Sequence, residues 1–251
     1  MLNVTDIHTY YGDSHVLQGV TMTAEKGVVT AVLGRNGVGK TTLCRSLVGL
    51  TRARQGRIEF DGTDITALPP HAIAARHVSL VPQGRRVFAS LTVYENLAIA
   101  SRPPSPAASA RQGRRWDLPA VFELFPRLKE RLNNRGNELS GGEQQMLAIG
   151  RALVANPLLM IMDEPTEGLA PAVIVEVGRL VLRLKAEGMS ILLAEQNAAF
   201  AVKLADYVHV MSKGRIVHSS DPAALWNDEE IKTKLLGVPS RSAVDRPSAR
   251  G

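Results

Sequence analysis

The 251-residue chain has one cysteine, Cys44, few aromatic residues (4%) and no long apolar run. A single thiol can form neither an internal disulfide nor a cysteine-based metal site, which points to a reducing compartment. The longest stretches without Asp, Glu, Lys or Arg are 11 residues each, from Ser14 to Ala24, Ile65 to Ala75 and Ala152 to Met162. A helix needs roughly 18 apolar residues to cross a bilayer, so no membrane span is expected. The amino terminus, Met-Leu-Asn-Val-Thr-Asp, lacks the basic start and apolar core of a secretory signal, and export is not expected either. Excess charge is also missing from most of the chain. The net +6 resides in two segments: Ser101 to Arg115, with four arginines and no acid, and Gly237 to Gly251, with three arginines and one aspartate. With the rest formally neutral and few aromatics to stack bases, nucleic-acid binding is not expected.

What remains is the composition of an ordinary globular protein, 45% hydrophobic and 22% charged, long enough for one large domain or two small ones. Leu2, Val4 and Ile7 roughly alternate with polar positions, and Val16, Val20 and Met22 follow a Tyr-Tyr-Gly-Asp turn, which predicts antiparallel strands. Val28 to Leu33, Leu158 to Met162 and Ser190 to Ala194 are β-branched or apolar runs of the length of buried parallel strands. Their alternation with helical segments predicts an α/β sheet. Asp61-Gly62 marks a turn, and Ser212-Lys213-Gly214 a hairpin between Tyr207 to Met211 and Arg215 to Val217. Val121, Leu124, Phe125 and Leu128 recur at helical spacing and predict a helical insertion. Pro103, Pro104 and Pro106 forbid a regular helix before it, so a flexible loop is expected at about 101–115, and a disordered tail at 238–251.

Gly34-Arg35-Asn36-Gly37-Val38-Gly39-Lys40-Thr41-Thr42 follows a buried run and precedes a helix predicted over Thr41 to Leu50. This is the strand, loop and helix context of a phosphate-binding loop rather than a mere glycine-rich helix cap. Glycines let the backbone bend around an anion so that N–H groups and the helix dipole face the phosphates. Lys40 would reach the β and γ phosphates as a point charge, and Thr41 would offer a hydroxyl to Mg²⁺. Asp163 and Glu164 end a buried run, where strand ends of an open α/β sheet line the ligand crevice. Asp163 is the candidate metal carboxylate. Glu164 is the candidate general base for water attacking the γ-phosphate. By themselves two acids at a strand end are usually solvated, and only the phosphate loop upstream gives them this meaning. Ser140 and Glu143 form a capping box before a helix predicted to end near Val154, but a cap needs no paired glycines. Ser140, Gly141 and Gly142 at a helix amino terminus make a second anion site.

These motifs, with Gln83 in Val-Pro-Gln-Gly, Leu-Ser-Gly-Gly-Glu and Asp-Glu-Pro in this order, resemble the nucleotide-binding subunit of ATP-binding-cassette transporters over roughly residues 1 to 237. The resemblance implies a P-loop NTPase core (about 1–83 and 155–237), with an antiparallel β subdomain and a helical subdomain (about 84–154) inserted between Gln83 and the signature. Val81 to Phe88, Glu143 to Ala152, Gly168-Leu-Ala-Pro171 and Ala194-Glu-Gln-Asn197 are more narrowly similar to one ATPase subunit of branched-chain amino-acid importers. Urea and amide importers share these features. By resemblance, Tyr11 stacks on adenine, Gln83 touches Mg²⁺ and the attacking water, and Ser140, Gly141, Gly142 and Glu143 serve the ATP of an opposing subunit. The partners implied are a second, non-identical ATPase, two membrane permeases and, indirectly, an external solute-binding protein, at the cytoplasmic face of the inner membrane. Two departures from the general pattern stand out. Gln196 occupies the place of a histidine that contacts the γ-phosphate, and Ala170 replaces an acid in the segment facing the partner. A glutamine donates a hydrogen bond but carries no proton charge. The narrower importer group shares both departures. A cassette ATPase acting on chromosomes or ribosomes would carry a coiled-coil insertion or tandem cassettes, and this chain has neither.

Overall fold

The computed structural model describes residues 1–104, 106 and 115–237. Strands β1 (Leu2–Tyr11) and β2 (Ser14–Ala24) pair antiparallel across Gly12 and Asp13. β1 also pairs with β4 (Ala53–Phe60), which folds back at Asp61-Gly62 into β5 (Thr63–Asp64). The imperfect alternation of Leu2, Val4 and Ile7 has a physical cause. Asp6 adopts φ 50 where the register shifts between Val4 and Ile7, and this bulge returns Ile7 to the buried face.

The second sheet has the order β10 (Arg215–Ser220), β9 (Tyr207–Ser212), β3 (Val29–Leu33), β8 (Ser190–Glu195), β7 (Leu159–Asp163) and β6 (Val78–Val81). β3, β6, β7, β8 and β9 are parallel, and β10 returns antiparallel. The central strands read as continuous apolar runs because both faces are covered. Ala31, Leu33, Met160, Met162, Ile191 and Leu193 face a core shared with helices Gly141–Leu153 and Pro171–Ala186. Val32, Ile161, Leu192 and Ala194 face the other core, with Leu43, Cys44 and Leu47 of helix Lys40–Leu47 and the antiparallel sheet behind it. This is the α/β P-loop NTPase architecture expected from the sequence.

Between β6 and β7 the chain is helical. Thr92, Asp117 and Ser140 cap the helices Val93–Ala98, Leu118–Leu124 and Gly141–Leu153 through their side-chain oxygens. The predicted helical period through Leu128 is split in two, because Pro126 forces Phe125 out of helical geometry and opens the short helix Pro126–Glu130. Asn156 holds the base of the segment. Its Oδ1 accepts from the Trp116 N–H at 2.7 Å, and its Nδ2 donates to the Arg102 carbonyl at 2.8 Å and the Trp116 carbonyl at 3.0 Å. The expectations for the 101–115 loop, its flanks excepted, and for the 238–251 tail fall outside the described residues. Among the described residues no helix is long and apolar enough to cross a membrane.

Several boundaries differ from expectation. The helix after the phosphate loop ends at Leu47, not Leu50, because Gly49 turns the chain with φ 73 and a Cβ there would lie 2.8 Å from the Leu68 carbonyl. β7 starts at Leu159 and carries Asp163 as its last residue, and β10 runs three residues further, to Ser220.

Candidate functional site

The phosphate loop leaves β3 at Leu33 and enters the helix at Lys40. A Cβ at Gly34 would lie 2.5 Å from the Met211 carbonyl, and Gly39 has φ 114, so both positions need glycine. Gly39 precedes the helix and no side chain caps its first turn, which leaves those backbone N–H groups to an anion. Val16, Gly37, Gly39, Lys40, Thr41, Thr42 and Glu164 line a cleft of about 130 Å³ here.

Lys40 is buried. Its ammonium donates to the carbonyls of Gly34 at 2.7 Å and Arg35 at 3.0 Å, and lies 2.9 Å from Glu164 Oε1. The expected phosphate-binding lysine thus sits on its own loop, paired with the expected base. Arg35, Asn36 and Gly37 are exposed at the outer edge of the loop, with Val38 half-buried.

Gln83, from the segment after β6, and Asp163, at the end of β7, meet at Thr41. The Thr41 hydroxyl lies 3.2 Å from Asp163 Oδ1 and 3.3 Å from Gln83 Oε1. These are three hard oxygen donors on a neutral and anionic set, the chemistry that Mg²⁺ takes alongside phosphate and water oxygens. Among the described residues no three histidines, cysteines or carboxylates cluster as a metal site, and a magnesium held largely by phosphates needs none. Burial pushes the Asp163 carboxyl up to about 6, against the Thr41 hydrogen bond that favours its ionised form.

Glu164 follows β7 with φ 48, an uncommon conformation for a residue with a side chain, and its N–H donates to the Ala194 carbonyl at 2.9 Å. That turn aims the carboxylate back at the phosphate loop. Oε1 pairs with Lys40, and Oε2 accepts from Gln83 Nε2 at 3.3 Å. The same Gln83 amide donates to Glu167 at 2.9 Å. Gln196, after β8, is exposed and lines a second cleft of about 350 Å³ with Glu164, Thr166, Glu167, Glu195 and Asn197.

Two sequence-predicted groups lie apart from this cluster. Ser140 is exposed, and the hydrogen bonds of its turn are internal: its hydroxyl accepts from the Glu143 N–H at 3.3 Å and its N–H donates to Glu143 Oε2 at 2.8 Å. The backbone donor holds the Glu143 carboxyl below its usual range. The second of the paired glycines has a packing reason. A Cβ at Gly142 would stand 3.0 Å from Val173, whereas one at Gly141 would meet only the movable end of Arg85, 2.7 Å away. Tyr11 is 44% exposed, its hydroxyl 3.3 Å from Thr51 Oγ1, with its ring free of stacking partners among the described contacts. Neighbouring Tyr10 instead stacks on His15 at 4.2 Å under the Arg54 guanidinium.

Sequence reasoning missed Val16, Glu167 and Glu195. Val16 lacks any distinctive signal. Glu167 lies two residues past Asp-Glu-Pro without a signal of its own, whereas Glu195 lies within Ala194-Glu-Gln-Asn197, where an acid closing an otherwise apolar run, as in Ile191 to Glu195, was a usable signal.

The chain matches the ABC transporter family over residues 17–167. It is 41% identical over 237 residues to the high-affinity branched-chain amino acid transport ATP-binding protein BraG of Pseudomonas aeruginosa, covering 94% of this chain and 100% of that protein. It is 32% identical to the lipopolysaccharide export system ATP-binding protein LptB of Haemophilus influenzae, covering 94% and 97%. A nucleotide-free ATP-binding cassette from an ABC transporter superposes with a TM-score of 0.77 at 28% identity, covering 98% of this chain and 97% of that one.

Proposed function

The chain belongs to the ABC transporter family, as an ATPase coupled to transport, and from that premise we propose that it drives import of branched-chain amino acids. The observation that carries the hydrolytic part is the convergence at Thr41 and Lys40 of Gln83, from the end of β6, and of Asp163 and Glu164, from the end of β7. The cargo rests on the similarity to BraG, with urea and amides as the alternative class. The similarity to LptB raises export as a second reading, and Gln196, in place of the histidine of the general transporter pattern, weighs against it.

Residues 1–237 act as one ATPase domain, with the 84–154 insertion as its helical subdomain. Lys40 and the loop N–H groups bind the β and γ phosphates of ATP, and Tyr11 stacks on the adenine. Thr41, Gln83 and Asp163 would hold Mg²⁺, which supplies neutralisation of the phosphate charge. For Lys40 to reach phosphate it must leave Glu164, and the freed carboxylate then accepts the proton of the attacking water. Gln83 donates to Glu164 and orients it, and Gln196 donates toward the γ-phosphate from the opposite wall of the cleft. Ser140, Gly141, Gly142 and Glu143 close over the nucleotide of a second, non-identical ATPase, so that ATP favours the closed pair and its hydrolysis releases it.

Two permeases complete the assembly at the cytoplasmic face of the membrane. A groove of about 300 Å³ beside the helical insertion is lined by Arg85, Arg86, Arg102 and Arg151 with apolar Leu80, Ile99 and Ala148 and, among the described residues, no acid, which suits a permease segment with acidic residues. The test is purification of the chain from its native membrane followed by uptake of labelled leucine, valine, isoleucine and urea in proteoliposomes. Co-purification of two dissimilar permeases and a second ATPase, with ATP-driven uptake of the branched-chain amino acids, is expected. Urea uptake alone overturns the cargo, and outward movement of lipid overturns import.

A further inference from the structure

Glu195 is the last residue of β8 and is 2% exposed. Its carboxylate accepts four hydrogen bonds. Oε1 takes the Thr166 N–H at 3.2 Å and the Thr166 hydroxyl at 2.7 Å, and Oε2 takes the N–H of Gln196 at 3.0 Å and of Asn197 at 3.2 Å. Its main-chain carbonyl accepts from the N–H of Gly34, the first residue of the phosphate loop, at 3.3 Å. One residue therefore joins three segments: the phosphate loop, the turn that begins at Glu164, and the loop that carries Gln196.

We propose that Glu195 is a positioning residue for ATP hydrolysis, fixing Glu164 and Gln196 against each other on the two walls of their shared cleft through its bonds to Thr166 and to the Gln196 and Asn197 backbone. The inference rests on the ATPase reading above. The turn geometry transmits the constraint over a short path. Thr166 lies two residues after Glu164, and the Glu167 N–H donates back to the Glu164 carbonyl at 3.2 Å. On the other wall, the bond to the Gln196 N–H sets the backbone from which that side chain enters the cleft. A buried carboxylate is a costly way merely to fill space at a strand end, and an apolar residue of similar volume would serve packing as well. Burial raises the Glu195 carboxyl above its ordinary range, with all four donors opposing that shift. The donors thus favour the charged acceptor that the junction needs.

The experiment compares Glu195→Gln, Thr166→Val and Thr166→Ser in the assembled transporter, measuring kcat, KM for ATP, ATP affinity and melting temperature. A glutamine at 195 presents only one accepting oxygen, so it must release either the Thr166 N–H or the Gln196 and Asn197 N–H groups. Since small misplacement of reacting groups can cost up to about 100-fold, Glu195→Gln is expected to lower kcat about tenfold or more while KM and ATP affinity stay within about twofold. Thr166→Val should show a smaller loss in kcat, Thr166→Ser should restore it, and the double variant Glu195→Gln/Thr166→Val should be no worse than Glu195→Gln alone. Wild-type kcat in Glu195→Gln overturns the inference. So does a loss that falls equally on ATP affinity and melting temperature, which marks a purely structural role. If Glu195→Gln does not fold, the threonine pair decides: Thr166→Val with wild-type kcat refutes the positioning role. A wild-type assembly that hydrolyses no ATP refutes the ATPase reading instead, which is a distinct result.

Discussion

Replacing Glu164 with glutamine should weaken the free protein and strengthen its grip on ATP, and both effects come from one ion pair. Lys40 and Glu164 have side chains 2% and 7% exposed and lie 2.9 Å apart. Coulomb's law at an effective dielectric of about 20 gives roughly 6 kcal/mol of gross attraction at such a separation, before desolvation is subtracted. Removing one partner of a buried pair outright costs about 3–5 kcal/mol. Glutamine keeps an oxygen that can accept from Lys40, and the Gly34 and Arg35 carbonyls at 2.7 and 3.0 Å still receive the ammonium. The expected net loss in Glu164→Gln is therefore smaller, about 1–3 kcal/mol. In both proteins bound MgATP offers Lys40 a phosphate, so the gap should close at saturating nucleotide. By linkage, the variant then binds ATP tighter by the same energy, about 5- to 150-fold. Urea denaturation of both proteins with and without MgATP, alongside ATP titration and steady-state hydrolysis, measures every leg. Turnover should stall in the variant because an amide cannot take the proton of water. Equal stability of the two free proteins, or a gap that MgATP leaves unchanged, refutes the idea that Glu164 and phosphate compete for Lys40.

Three further outcomes are expected. Lys40→Ala should abolish tight MgATP binding, and unchanged affinity by titration would contradict the phosphate-loop assignment. Asn156→Ala strips partners from the buried Trp116 N–H and neighbouring carbonyls at a residue with φ 51, and should cost about 2–4 kcal/mol in urea denaturation with a change in Trp116 fluorescence; a loss under about 0.5 kcal/mol removes its role as the staple of the insertion. His209 is held below its ordinary pKa, first by burial, while its Nε2–H donates to the Thr23 carbonyl at 3.0 Å and Nδ1 accepts from the Ser219 hydroxyl at 2.8 Å. The unfolded chain therefore binds a proton first, and stability falls as pH drops below about 6.5, by at most about 1.4 kcal/mol per unit. Between pH 7 and 5 the wild type should lose more stability than His209→Gln, and parallel curves for the two proteins would refute the histidine's part.

The parts of the fold legible in the sequence were those where one local rule acts alone. Ile191 to Ala194 and Met160 to Met162 read as buried strands, and Gly34 to Gly39 as a loop between strand and helix. Boundaries failed where tertiary contact overrides periodicity. Gly49, with φ 73 just past the cap Val48 and close to the Leu68 carbonyl, stops the helix after the phosphate loop, a glycine stop that the apolar reading through Leu50 passed over. Phe125 kept its apolar period but lost its helix to Pro126, a rule that the sequence did offer. At the site, Gln83, Asp163 and Glu164 were visible as motif members, whereas the pairing of Glu164 with Lys40 and of Gln83 with Glu167 depends on side-chain directions that spacing does not encode.

The convergence itself follows from sheet register. Leu33 lies beside Glu195, Asp163 beside Ala194 and Val81 beside Met162, so β3, β6, β7 and β8 all end within a residue or two of one another along the same edge. Parallel strands place every carboxyl end on one side, and each chain segment leaving that edge supplies one functional group: the phosphate loop, Gln83, Glu164 and Gln196. What the register alone does not provide is direction, because a carboxylate one residue past a strand would continue the alternation away from the loop. The left-handed turn at Glu164 reverses that heading, and its strain is offset by the bond from its N–H to the Ala194 carbonyl and by the Lys40 pair. Glu195 does the same for the neighbouring strand by a different route, anchoring the exits of β7 and β8 with one buried carboxylate. The geometry proposed for catalysis is therefore carried by residues at the strand ends, and substitutions deep in the two cores should change stability far more than the ratio of kcat to ATP affinity.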